Sequence, residues 1–234
     1  MITKAVLFDM GGTLNEVDVV HPGEVFQRIL NSLGISMSLG EIKTAFLNAE
    51  KEARELNLLS LFGKIQREEY WRKWDSLVLK HLSIAESGEL AETVQSKWFD
   101  YLDFTLYPEV KMVLSKLKQK KLALGLISNA YEEEINFVLE EASLKKRTFD
   151  IIVGVDTVQN MKPHPDVFRY ALRKLKVRPE ETLFIGDSFE ADYEGAERVG
   201  MTAILIQRTE ANTEKTKGLR TITNLEEVFR YLIG

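Results

Sequence analysis

The chain has 234 residues, 44% of them hydrophobic and 29% charged, and carries a formal net charge of -5. This composition suits a folded globular protein and excludes wholesale disorder. The acidic balance speaks against nucleic-acid and anionic-membrane partners, and the absence of cysteine excludes disulfides, thiol catalysis and thiolate metal sites.

The run from Met1 to Asp9 has no signal-peptide pattern and leads straight into a buried-looking strand, Ala5–Asp9, so a cytoplasmic location is expected. A single crossover to the next parallel strand needs about 30 residues, yet that strand begins only at Leu122. The interval is rich in helical signals. Pro22 opens a helix whose apolar set is Val25, Phe26, Ile29, Leu30 and Leu33, and Gly34 closes it. Ser38 and Glu41 have the spacing of a capping box ahead of Ile42, Ala45, Phe46 and Ala49. Trp71, Trp74, Leu77 and Val78 mark a third helix, and Leu90, Val94 and Trp98 a fourth. The helical spacing of these aromatics favours core packing over a ligand box. Residues 16–102 are therefore read as an inserted helical domain, with residues 1–15 and 103–234 forming an α/β core.

After the insert come the strands Leu122–Ser128, Ile151–Val155, Leu183–Asp187 and Ala203–Ile206, all short and continuously apolar. Such runs suit parallel strands covered on both faces. The helical sets Val110, Val113, Leu114, Leu117 and Val167, Phe168, Ala171, Leu172, Leu175 alternate with them. The pattern predicts a doubly wound parallel sheet, with ligands at the strand C-termini.

Four short sequences fall at those strand ends. Asp9 ends the first strand and is followed by Gly11, Gly12 and Thr13. A carboxylate there can accept a phosphoryl group, and glycines let backbone turn closely around a ligand; an aspartate simply closing a strand is the plainer alternative. Ser128 and Asn129 end the second strand, where a hydroxyl and main-chain N–H groups can hold phosphate oxygens or make an ordinary turn. Lys162 precedes a proline turn as a fixed cation or a surface lysine, and His164 beside it reads as loop structure. Gly186, Asp187 and Ser188 end the fourth strand, with Asp192 following; paired carboxylates suit Mg²⁺, although Asp192 also fits a helix N-cap.

Together and in this order, the four sequences resemble the motifs of the haloacid dehalogenase-like superfamily, whose members also carry a helical cap after the first motif. The resemblance covers the whole chain. It implies a Rossmann-like core with a mobile cap and a Mg²⁺-dependent phosphatase acting on a small phosphorylated substrate. Asp9 would be the nucleophile and Lys162 the catalytic cation. Gly12, Thr13, Ser128 and Asn129 would bind phosphate, Asp9, Asp187 and the Gly11 carbonyl would hold the metal, and Ser188 and Asp192 would support them. A monomer or homodimer is expected, with neither nucleic acid nor membrane as partner.

Gly11 departs from the family pattern. Phosphatases of the family have a second aspartate there, which protonates the leaving group and then activates water; such help is commonly worth ~10²–10⁴ in rate. Modest activity is therefore expected, best on leaving groups that need little protonation. Glu16 is close enough in sequence to substitute, but reads as a solvated loop carboxylate. A 2-haloacid dehalogenase is the main alternative, because halide needs no proton. Similar dehalogenases have an aromatic residue at the Gly11 position and lack the Gly186-Asp187 metal signature. Two further alternatives are a phosphonate-cleaving relative using Lys43 or Lys51 as a Schiff base, and a non-catalytic phosphate-binding protein.

Overall fold

The computed structural model describes residues 2–16, 21–84, 88–208, 216 and 218–233. In chain order they form β1 (Ala5–Phe8), α1 (Pro22–Ser32), α2 (Leu39–Glu55), α3 (Arg67–His81), α4 (Gly88–Lys97), α5 (Val110–Gln119), β2 (Ala123–Ile127) and α6 (Glu132–Glu141). There follow β3 (Ile151–Val153), α7 (Val155–Val158), α8 (Pro165–Leu175), β4 (Thr182–Gly186), a π-helical turn (Phe189–Glu194), α9 (Gly195–Arg198), β5 (Thr202–Ile206) and β6 (Thr221–Ile222). The chain divides into two compact units, Met1–Glu16 with Phe104–Gly234, and Val17–Asp103.

The first unit is built on a six-stranded sheet in the order β3-β2-β1-β4-β5-β6, with every pairing parallel. Successive strand residues point to opposite faces, so one strand feeds two cores. Val6 and Phe8 join Val113, Leu114, Leu126 and Ile135 on one face. Leu7, between them, packs with Val167, Phe168, Phe184 and Ala203 on the other. Double-sided burial is the reason these strands read as continuous apolar runs. From β1 the chain winds outward through β2 and β3, then crosses back to place β4 on the opposite side of β1. The switch point, where doubly wound sheets open a crevice, thus lies between β1 and β4.

The predicted strands hold with small corrections. The segment expected to run to Val155 stops at Val153, because Val155 begins α7 and the Gly154 amide donates to the Thr157 hydroxyl at 2.9 Å instead of to a ladder. The two-residue β6, which pairs Thr221 with Leu205 and Ile222 with Ile206, is too short to show a period in sequence.

The second unit is helical. Pro22 sits in the first turn of α1, where His21 Nδ1 accepts from the Gly23 amide at 2.9 Å. Ser38 and Glu41 form the capping box of α2. Val25, Phe26, Ile29 and Leu30 pack with Ile42, Ala45, Ala49, Val78, Leu79, Ala91 and Val94. On α3 the buried face is Tyr70, Asp75, Val78 and Leu79, whereas Trp71, Trp74 and Leu77 are half-buried. The indoles cover the margin of a small core; Trp74 meets Phe46 edge-on at 6.2 Å, and Trp71 meets Phe62 at 5.7 Å. Lys43 is half-buried and Lys51 exposed on α2. Among the described residues no helix is long and apolar enough to cross a membrane.

Candidate active site

Phe8 of β1 lies opposite Ile185 of β4, so the residues that follow them leave the same edge of the sheet. The Asp9 amide continues the ladder by donating to the Ile185 carbonyl at 2.8 Å. Lys162, from the segment between α7 and α8, reaches this point. Its Nζ donates to Asp9 Oδ1 at 2.5 Å and to Asp192 Oδ1 at 2.6 Å. Burial opposes its charge, but Asp9 and Asp192 outweigh that and hold its pKa above the usual lysine value. The charged form of Lys162 is therefore favoured between the two carboxylates.

Asn129, at the end of β2, holds the main chain of this lysine. Its Oδ1 accepts from the Lys162 amide at 2.7 Å, and its Nδ2 donates to the Lys162 carbonyl at 3.1 Å. The side chain expected on phosphate thus hydrogen-bonds the main chain of the lysine on both sides.

Asp192 is almost wholly buried in the π-helical turn. Its second oxygen accepts from the Ser188 amide at 3.0 Å, while Ser188 caps the turn by accepting from the Ala191 amide at 3.2 Å. The capping role open to Asp192 therefore belongs to Ser188. Burial raises the Asp192 pKa, opposed by Lys162 and assisted by the charge of Asp9. A Cβ on Gly186 would lie 2.3 Å from Asp192 Cγ, so the absence of a side chain there lets the carboxylate pack against β4.

Asp187 completes the cluster. Oxygens of Asp9, Asp187 and Asp192 all lie within 4.8 Å of one another. Asp187 reaches solvent, yet loss of hydration to the surrounding protein, followed by the charges of Asp9 and Asp192, pushes its pKa up to about 6. Gly12 faces it: its φ is +72°, and a Cβ there would come within 2.3 Å of Asp187 Oδ2. Glycine is required for backbone conformation and for space alike.

The loop between β1 and the helical unit is a tight turn. The amides of Thr13, Leu14 and Asn15 all point at the Met10 carbonyl, at 3.3, 2.8 and 3.3 Å, and the Gly12 amide donates to the Asn15 carbonyl at 2.9 Å. No described backbone amide donates to the Gly11 carbonyl. Thr13 is fully buried and its hydroxyl has no hydrogen-bond partner among the described residues. The Ser128 amide donates to the Val153 carbonyl at 3.0 Å. His164 caps α8 through Nδ1, and Glu16 is exposed.

A family model described as haloacid dehalogenase-like hydrolase matches residues 3–200. The chain belongs to the haloacid dehalogenase-like hydrolases. A haloacid dehalogenase-like hydrolase domain-containing protein 3 of Xenopus laevis is 28% identical over 214 residues, 88% of this chain and 85% of that protein. The phosphoglycolate phosphatase of Escherichia coli is 34% identical over 99 residues, which is 42% of this chain and only 38% of that enzyme. Among solved structures, the hydrolase YfnB of Bacillus subtilis, bound to magnesium, superposes with a TM-score of 0.71 at 21% identity, covering 99% of both chains. A 2-haloacid dehalogenase of Pseudomonas syringae also gives 0.71, at 20% identity over 98% of this chain and 97% of that one. At these identities the two structures establish the shared fold alone.

This haloacid dehalogenase-like hydrolase carries one group beside the turn after Asp9 that the motif reading missed. Arg208, two residues beyond β5, donates to the Thr13 carbonyl at 2.6 Å and to Glu109 Oε1 at 2.5 Å, and its guanidinium lies 3.7 Å from the centre of the Tyr107 ring. Burial works against ionisation of Glu109, but Arg208 and the Leu225 amide prevail and hold its pKa below the usual value. The available signal was positional: Arg208 follows a strand at the edge where every other motif lies.

Proposed function

We propose that this hydrolase is a Mg²⁺-dependent phosphatase that transfers the phosphoryl group of a small phosphorylated metabolite to Asp9. The observation that carries the reading is a cluster of three carboxylates around one cation. Lys162 pairs with Asp9 and Asp192, and Asp187 has no cationic contact among the described residues. Such a surplus of hard oxygen donors suits a divalent cation. Both Asp192 oxygens are hydrogen-bonded; that leaves Asp9, Asp187 and the Gly11 carbonyl to hold the ion. When bound, Mg²⁺ supplies charge neutralisation for the phosphate.

Asp9 attacks phosphorus as the bond to the leaving oxygen breaks, giving an aspartyl-phosphate. Water then attacks that phosphorus, releasing inorganic phosphate and restoring Asp9. Lys162 offsets the negative charge of the transferring group, and Asp192 and Asn129 keep Lys162 in place. We assign the phosphate oxygens to Ser128. Gly12 and Thr13 give the loop its shape, since the Gly12 amide is committed to Asn15 and Thr13 is buried. With glycine at position 11 the leaving group draws its proton from solvent, which favours acyl and aryl phosphates. We assign substrate selection to the helical unit and a cytoplasmic setting to the enzyme.

The test is hydrolysis of p-nitrophenyl phosphate by wild type and Asp9→Asn, with and without Mg²⁺. Metal-dependent turnover that disappears in Asp9→Asn is expected; wild type no faster than the variant would defeat the phosphatase reading. Gly11 also supports a second reading, 2-haloacid dehalogenation, in which halide departs without a proton. Metal-independent halide release from a 2-halo acid would favour it.

A further inference from the structure

The turn spanning residues 10–15 is anchored at both ends by main chain. At one end Asp9 continues the ladder with β4; at the other, the Tyr107 amide donates to the Leu14 carbonyl at 3.1 Å and the Glu16 amide to the Thr105 carbonyl at 2.8 Å. Its middle is held differently. Among the described residues, Arg208 is the one side chain from outside the turn that hydrogen-bonds to it, through the Thr13 carbonyl. We propose that Arg208, braced by Glu109, is a positioning residue that fixes this turn and thereby the attack geometry of Asp9; the inference rests on the phosphatase reading above.

The arrangement is built for that task. The Arg208 and Glu109 side chains are only 10% and 7% exposed, so their pairing is shielded from competing water. Glu109 Oε1 is itself fixed by the Leu225 amide at 3.1 Å. The guanidinium carbon sits over the ring of Tyr107, the residue whose amide holds Leu14. A planar fork can meet two acceptors and stack on a ring together, which an ammonium cannot. One side chain thus ties the nucleophile turn to the end of β5, the start of α5 and the segment at Leu225. Shifts of about 1 Å in the reacting geometry can cost ~10² in rate, so a small relaxation of Thr13 is enough to matter at Asp9.

The test uses the full chain with Arg208→Met and Glu109→Gln combined, so that no lone charge stays buried. Its kcat on p-nitrophenyl phosphate should fall at least about tenfold, with KM within about threefold, because Arg208 acts on the loop rather than on substrate. Hydrogen exchange of peptide 10–16 should accelerate while that of β4 stays unchanged, a split that general destabilisation does not produce. A folded variant with wild-type kcat, or with unaltered exchange in peptide 10–16, overturns the proposal. If the double variant does not fold, Arg208→Lys, which keeps the charge but not the fork, is read by the same two measurements. Should wild type prove no faster than Asp9→Asn, the phosphatase reading fails, and exchange in peptide 10–16 alone decides whether Arg208 holds the turn.

Discussion

Lys162 and Asp192 form a buried ion pair, Nζ to Oδ1 at 2.6 Å, with side chains 3% and 2% exposed. The same Nζ meets Asp9, so one cation separates two carboxylates that would otherwise face each other unshielded. Removing a single partner from such a pair commonly costs ~3–5 kcal/mol, since the remaining charge stays buried. Lys162→Met should lower stability on that scale in urea denaturation. It should also reduce kcat by about 10² or more, through loss of the fixed charge near the phosphoryl group. A variant as stable and active as wild type would show that Lys162 serves neither purpose.

Gly11→Asp restores a carboxyl at the position where phosphatases of the family carry their acid–base group. The Gly11 carbonyl is unaffected by the change, so the metal ligand it is proposed to supply remains. Turnover of alkyl phosphates should rise toward the ~10²–10⁴ range of general acid–base help, and turnover of p-nitrophenyl phosphate should rise less. Equal gains on both substrates would mean that leaving-group protonation is not what glycine costs.

Asp187, raised from an ordinary 3.8 to about 6, should make stability depend on pH, and with it the proposed binding of Mg²⁺. The folded chain holds this proton more tightly than the unfolded chain. The group's contribution therefore favours folding below the unfolded pKa and is lost as pH rises through about 6. Metal-free Asp187→Asn should accordingly be more stable than wild type at about pH 8 and lose that advantage near pH 4. Mg²⁺ affinity of wild type should strengthen as pH rises through the same window, because the proton and the cation compete for the carboxylate. Calorimetric titration across this range checks both the direction and the midpoint.

Asp75 sits on the buried face of α3 with no hydrogen bond or ion pair among the described residues. Burial drives its pKa well above the ordinary 3.8. By the same sign, the stability associated with this group is lost as pH rises through its raised value. An unsatisfied buried polar group costs ~1–3 kcal/mol. Asp75→Leu should therefore stabilise the helical unit at neutral pH, with the gain shrinking in acid. Thermal unfolding as a function of pH would contradict this if the variant melted below wild type throughout.

Much of the framework was legible because it depends on residues close in sequence. Val110, Val113, Leu114 and Leu117 announce a helix face by spacing alone, and all four are buried. Ser38 and Glu41 announce a capping box within a single turn. The strands that carry Asp9 and Asp187 were visible as apolar runs because both faces of the sheet are covered. The buried side of α3 was harder: Trp71 and Trp74 are the more apolar choice by type, but the packing geometry placed Tyr70 and Asp75 inside.

By itself, then, the sequence determined the periods of the elements, the chemical groups at the strand ends and the missing carboxyl at position 11. Tertiary structure decided which of those groups meet. Asn129 grips Lys162 across 33 residues, and Arg208 reaches Glu109 across 99 and Thr13 across 195. No local pattern encodes such pairs. The same holds for the raised pKa of Asp187, which sums lost hydration with charges on Asp9, Asp192 and Lys162. Propensity and spacing act over a few residues, whereas burial and electrostatics depend on distances in space, which exist only once the sheet has assembled.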